Sequence, residues 1–281
     1  MKVINDQRTN EAALSEYFAE KAVKALIEEA ELTPKPGLVD QNNSGSHHDL
    51  NIDLMIRSAK SLHDTFAEIG RISFKRVPDQ SLREDIAAIG RHGENVMFQA
   101  TGGTNTHKGA IWAMGLLTSS AAIHPLGTTP ERIAVTAGKI ARFADRFAPK
   151  KATHGTVIQQ RFGAPGARGE AELGFPHVVG AALPALYDAR NKGIPEPLAR
   201  IDTLITIISR LDDTCLLHRG GMDALKAAKE GAKTILDKGG SSTQAGWRSL
   251  QQLDAVLIEH NASPGGSADL LAAALFLDSL P

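Results

Sequence analysis

The chain has 281 residues, 42% of them hydrophobic and 22% charged, with a formal net charge of −1. That length can bury a substantial core, and that composition excludes a mainly disordered chain. The charge balance excludes a global basic field for nucleic acid or an anionic membrane, so a polyanionic ligand must be held by local cations.

Residues 1–20 carry charges throughout and lack the apolar core of a signal peptide. No run approaches the roughly 20 apolar residues of a membrane-spanning helix. A cytoplasmic protein with no membrane partner is the expectation. Leu14, Phe18, Ala22, Ala25 and Leu26 predict a first helix ending near Leu32, stopped by Pro34 and Pro36. Met55, Ala59, Leu62, Phe66 and Ile69 recur at spacings of four and three, with charged residues opposite. That pattern predicts one amphipathic helix over 54–69. Only Arg71–Val77 alternates weakly before Pro78. Further helices are predicted over about 84–100, 106–122, 130–147, 176–191, 197–211, 222–237, 243–260 and 267–280. No strand–helix alternation repeats, so the expected fold is all-α. It is read as a single compact multi-helix domain over 1–281, with glycine-rich loops at helix ends forming an active-site cleft. The apolar last helix is a candidate homodimer surface.

Five segments near predicted helix ends combine glycine with charged or histidine side chains. In L-T-P-K-P-G-L-V-D-Q-N-N-S-G-S-H-H-D (Leu32–Asp49), two prolines stiffen the loop around Lys35. A rigid loop can present an ammonium to phosphate, and Asp40, His47, His48 and Asp49 supply metal-ligand chemistry. A purely structural account, with Asp49 as a helix cap, serves the isolated segment equally well. T-G-G-T-N-T-H-K-G (Thr101–Gly109) opens a helix whose free amides would attract phosphate, with Gly102, Gly103, His107 and Lys108 as binding candidates. It lacks the Walker A spacing, and Thr106 as a simple cap is an equal alternative. In R-F-G-A-P-G-A-R-G-E-A-E-L-G (Arg161–Gly174), Arg168 can fork onto phosphate and Glu170 can act as base, acid or ligand; a surface ion pair is the plainer account. In D-D-T-C-L-L-H-R-G-G-M-D (Asp212–Asp223), adjacent carboxylates can share a metal or perturb one another, and Arg219 follows beside Gly-Gly. Cys215, the one cysteine, sits among apolar neighbours and is read as a buried structural thiol. In N-A-S-P-G-G-S-A-D (Asn261–Asp269), Ser263 or Ser267 can cap the last helix; Ser263, Gly265 and Gly266 can alternatively hold phosphate.

Taken together, the five segments resemble the triphosphoribosyl-dephospho-CoA synthase family. They look like its P-K-P-G-L-V-D, G-x-H-x-D, T-G-G-x-N-T-H-K-G, G-A-R-G-E-A, H-R-G-G and S-P-G-G-S-A-D-L-L-A blocks, in the family's order from Leu32 to the C-terminus. Ser46 stands where alanine is usual and Leu50 where methionine is frequent. The resemblance implies an enzyme whose substrates are ATP and 3′-dephospho-CoA. It would join the triphosphoribosyl part of ATP to the acceptor's 2′-hydroxyl and release adenine. The product would be the prosthetic-group precursor for the acyl carrier protein of malonate decarboxylase or citrate lyase, with a slight lean to the former. A holo-acyl-carrier-protein transferase and the carrier subunit would be its functional partners.

That chemistry asks for Mg²⁺ and several cations around the triphosphate, for which Lys35, Lys108, Arg168 and Arg219 are the candidates. It also asks for two carboxyl groups roughly 6.5–9.5 Å apart, by analogy with inverting glycosidases. Asp49, Glu170 and Asp213 are the catalytic candidates, with Asp40 and Asp269 behind them, and Asp40, Asp49 and Asp213 are the metal candidates. A helical HD-type phosphohydrolase, suggested by His47–His48–Asp49, is the alternative activity. A non-enzymatic helical scaffold is the third.

Overall fold

The computed structural model describes residues 2–149 and 154–281. Among them the regular structure is helical throughout, with no strand. The helices are α1 (Lys2–Glu31), α2 (Ile52–Ser61), α3 (His63–Ser73), α4 (Gln80–Ala100), α5 (Lys108–Ile123), α6 (Pro130–Ala141), α7 (His154–Phe162) and α8 (Gly166–Glu172). After a π-helical turn (Val178–Ala182) come α9 (Leu183–Asn191), α10 (Glu196–Arg210), α11 (Thr214–Asp237), α12 (Gln244–Glu259) and α13 (Gly265–Asp278).

Two helices organise the interior. α5 and α13 are apolar on every side and buried along nearly their whole lengths, as expected of a helix without a polar face. They pack against each other and against α1. α3, α4 and α6 cover α5, whereas α10 and the π turn cover α13. α10, α11 and α12 follow as successive packed neighbours. One continuous apolar core runs from Phe18 to Leu277. Because Leu270–Leu277 are all at most 5% exposed, the last helix is consumed by its own chain's core. It offers no homodimer surface.

The helix spanning 54–69 is in fact two. α2 and α3 meet at Leu62, whose amide closes a short turn onto the Ala59 carbonyl. Leu62 itself is fully buried, so the apolar stripe continues across the bend and hides it from periodicity. Arg71–Ser73 complete α3, and the weak alternation there is no strand. α6 ends at Ala141, not 147, and the following residues are tied back to α4 by Arg91–Asp145, Arg146–Glu84 and Gln80 to the Ala144 carbonyl. The glycine-rich segment Arg161–Gly174 takes in the end of one short helix, α7, and the whole of another, α8, where a loop was expected.

Candidate active site

The helix ends carrying the five segments come together, but protein carboxylates already occupy three of them. Asp213 caps α11 by accepting from the Cys215 amide at 2.8 Å. The same carboxylate reaches across to α13, accepting from the Gly266 amide (3.3 Å), the Ser267 amide (2.7 Å) and the Ser267 hydroxyl (2.8 Å). An anion at two helix N-termini is favoured by both macrodipoles. Burial nevertheless pushes the Asp213 carboxyl up, against the downward pull of those donors. Neither Ser263 nor Ser267 caps α13 in the expected way. Pro264 stands at the cap position, Ser263 is buried with its hydroxyl unpartnered, and Asp213 takes the Gly266 and Ser267 amides, the first of which was expected to cradle phosphate.

Asp269, one turn into α13, does the same for α5. Its carboxylate faces the Ala110 amide, and a Cβ on Gly109 would lie 2.0 Å from its Oδ2. Glycine at 109 is therefore what allows the two helices to approach this closely. Asp269 keeps a partly accessible edge. Burial first, and then the nearby charges of Glu29 and Asp213, hold its carboxyl well above the usual range.

Glu29, on the last turn of α1, accepts from the Lys35 ammonium at 2.5 Å, and the same ammonium donates to the Glu29 carbonyl at 2.6 Å. Both side chains are buried, so most of the Lys35 charge is neutralised inside the protein. Lys35 acts on His107, whose ring bonds the Ser58 hydroxyl through Nδ1 (2.8 Å) and leaves Nε2 buried without a partner. Burial, reinforced by Lys35, lowers the imidazole to about 4. Thr106 bonds Ser58 at 2.5 Å and does not cap α5; Asn105 accepts from the Lys108 amide instead. Glu29, Lys35, His107, Asp213 and Asp269 thus share one interior neighbourhood.

The remaining candidates are placed as follows. Asp40 organises its own loop: Oδ2 accepts from the Lys35 amide, and Oδ1 from the Asn42 and Asn43 amides. Asn51, not Asp49, caps α2. Asp49 is exposed, 3.7 Å from His47. Lys108 pairs with Glu94 at 2.8 Å and Arg168 with Glu172 at 2.6 Å, both at the surface. Both Glu170 oxygens are taken by His177, one by its amide (2.8 Å) and one by its ring Nδ1 (2.7 Å). Gly102 and Gly103 form an open turn, with nothing within 4 Å of a Cβ built on either. Cys215 is only half-buried by surface area, yet burial is the first cause raising its thiol well above the ordinary value.

Arg219 differs from the other nominated cations. Its guanidinium donates to the Ser46 carbonyl (2.5 Å), to the Asn261 carbonyl (2.9 Å) and side chain (3.0 Å), and to His47 Nδ1 (3.1 Å). It meets no carboxylate among the described residues, so its charge is fixed in place and uncompensated. Burial, then Arg219, lowers His47. With Nδ1 accepting from Arg219, His47 cannot offer that nitrogen to a metal. No group of three or more His, Cys, Asp or Glu side chains among the described residues could hold a metal ion. The HD-type arrangement is therefore disfavoured by donor geometry.

The family model for ATP:dephospho-CoA triphosphoribosyl transferase matches residues 15–281. The chain belongs to this family. It is accordingly an enzyme of the triphosphoribosyl transferase class. A 2-(5''-triphosphoribosyl)-3'-dephosphocoenzyme-A synthase of Klebsiella pneumoniae is 48% identical over 262 residues, covering 93% of this chain and 94% of the relative. A probable synthase of the same name from Azotobacter vinelandii is 48% identical over 270 residues, covering 95% and 92%. One from Pseudomonas aeruginosa is 48% identical over 281 residues, covering 99% and 96%. No solved structure matches the chain. No helix among the described residues of this transferase is long and apolar enough to cross a membrane.

Sequence reasoning missed Glu29 and Ser58 as members of the interior cluster. Each sits inside a helix, where a polar residue reads as part of a solvated face. Their burial follows only from how α1 and α2 dock.

Proposed function

We propose that this enzyme transfers the triphosphoribosyl part of ATP to the 2′-hydroxyl of 3′-dephospho-CoA, releasing adenine in a single inverting displacement. The acceptor oxygen forms a bond to ribose C1 as the C1–adenine bond breaks. The bonding pair leaves with adenine, which takes up a proton, and the hydroxyl proton passes to a base. The observation that carries this reading is Arg219, a half-buried guanidinium held by carbonyls and His47 with no ion-pair acid among the described residues. A retained triphosphate needs such a fixed, uncompensated cation.

Among the carboxyl groups, Glu170 and Asp213 are committed to internal donors. Asp269, whose carboxyl burial and acidic neighbours raise well above the usual range, is the group suited to protonate departing adenine. Asp49, exposed beside His47, is the group suited to accept the hydroxyl proton. With Asp40 and Asp213 bonded to amides, the donor set fits a magnesium ion carried on the phosphates, not a protein cage. Asp49 would contact that ion, which would offset triphosphate charge. The product serves as the prosthetic-group precursor for a carrier protein of malonate decarboxylase or citrate lyase.

Incubation with ATP, Mg²⁺ and dephospho-CoA should release adenine in step with one coupled nucleotide product. Release of ADP or pyrophosphate in place of adenine would refute the assignment.

A further inference from the structure

A second cation without an ion pair among the described residues lies away from Arg219. Arg83, near the start of α4, is 6% exposed. Its Nε is enclosed without an acceptor, and its terminal nitrogens meet none among the described residues. The guanidinium carbon sits 4.8 Å from the centre of the Trp112 ring on α5. That ring is anchored by its own N–H, which donates to the Ala167 carbonyl of α8 at 3.1 Å. Asp145 first, then Arg168, the next residue, and Arg91, with Glu84 last, are close enough to act on Arg83. The other cations here each have an acid: Arg91 with Asp145, Arg146 with Glu84, Arg168 with Glu172. Arg83 forms no such pair. Stacking on an indole offsets only part of the cost of an enclosed guanidinium, so the arrangement is unfavourable until an anion arrives.

The proposed reaction supplies a reason for a second cationic place. Its two substrates are both polyanions, a triphosphate and a nucleotide diphosphate, and they must be bound together. Arg219 alone cannot hold both. We infer that Arg83, stacked on Trp112 and with Arg168 at the rim, forms a subsite for phosphate groups of one of the two nucleotide substrates. This rests on the transferase reading. A planar guanidinium already oriented by an aromatic face presents its fork to a phosphate with little ordering cost.

Trp112 and Trp247 are the only tryptophans, so a Trp247→Phe protein reports on Trp112 alone. Its fluorescence should respond saturably to inorganic pyrophosphate, and Arg83→Met in that background should weaken the binding at least tenfold. A response to dephospho-CoA but not ATP assigns the subsite to the acceptor; the reverse assigns it to the donor. In the otherwise wild-type enzyme, Arg83→Met should raise KM at least tenfold for the assigned substrate alone. Its melting temperature without ligand should not fall, because the substitution removes an unpaired charge. Arg83→Lys should bind pyrophosphate with intermediate affinity, and it carries the test should Arg83→Met fail to fold. Adenine release with pyrophosphate affinity unchanged in both Arg83 variants overturns the subsite and leaves the transferase reading standing. Pyrophosphate binding that depends on Arg83, in a protein releasing no adenine, supports the anion site and overturns the transferase reading instead.

Discussion

His107 is bonded to Ser58 through one ring nitrogen, and the other nitrogen is enclosed with nothing to bond. A charged imidazole is disfavoured there, so the unfolded chain binds the proton more readily than the folded one. Because the folded value is depressed from 6.5 to about 4, this contribution to stability is present above pH 6.5 and lost as pH falls to about 4. The loss should reach about 3 kcal/mol. Asp269 works in the opposite sense. Its carboxyl is raised, so the folded state holds the proton longer, and stability falls as pH climbs from the ordinary carboxylate range through the folded value. Urea midpoints across this range should separate the two. His107→Asn should remove the acid-side loss, and Asp269→Asn should remove the decline at higher pH. An unchanged profile in both variants would contradict the burial argument. His107 and Asp269 stood out in the sequence as polar residues beside glycines, but nothing there told a buried, neutral group from a solvated one.

At the scale of the element, glycine position and helix position were legible to different degrees. The Gly220–Gly221 pair reads as a helix boundary, and α11 (Thr214–Asp237) is indeed two helical stretches that meet at a kink there. Gly221 has φ 68° and ψ −160°, a non-helical conformation that separates the two stretches, the second of which matches the predicted helix over 222–237. No atom lies within 4 Å of a Cβ built there, so Gly221→Ala isolates backbone strain from steric clash. It should cost about 1–3 kcal/mol by thermal or urea unfolding. A neutral result would mean that the kink relaxes. The bend matters because Arg219 sits just before it and reaches Asn261 and Ser46. Periodicity found α5, α10, α12 and α13 to within two residues, since each has a long apolar pattern with clear stops. It missed α7 and α8, whose seven to nine residues hold several glycines and too few apolar positions to show a stripe.

For the molecule as a whole, α13 is the element on which the site depends. Its first turn receives Asp213, its second turn sends Asp269 to α5, and the rest fills the core between α1, α5 and α10. Phe276 is fully buried at its far end. Phe276→Ala should therefore destabilise the entire fold by about 3–5 kcal/mol in one cooperative urea transition. A local loss of activity with stability intact would show α13 to be independent of the core. The linear chain by itself determined the helical class and the family, because apolar spacing and short motifs are properties of neighbouring residues. Only the tertiary structure decided which charges remain free. Lys35 is answered by Glu29, Lys108 by Glu94 and Arg168 by Glu172, whereas Arg219 and Arg83 form no ion pair among the described residues. Charge compensation depends on distance in space between helices remote in sequence, and no spacing along the chain encodes it.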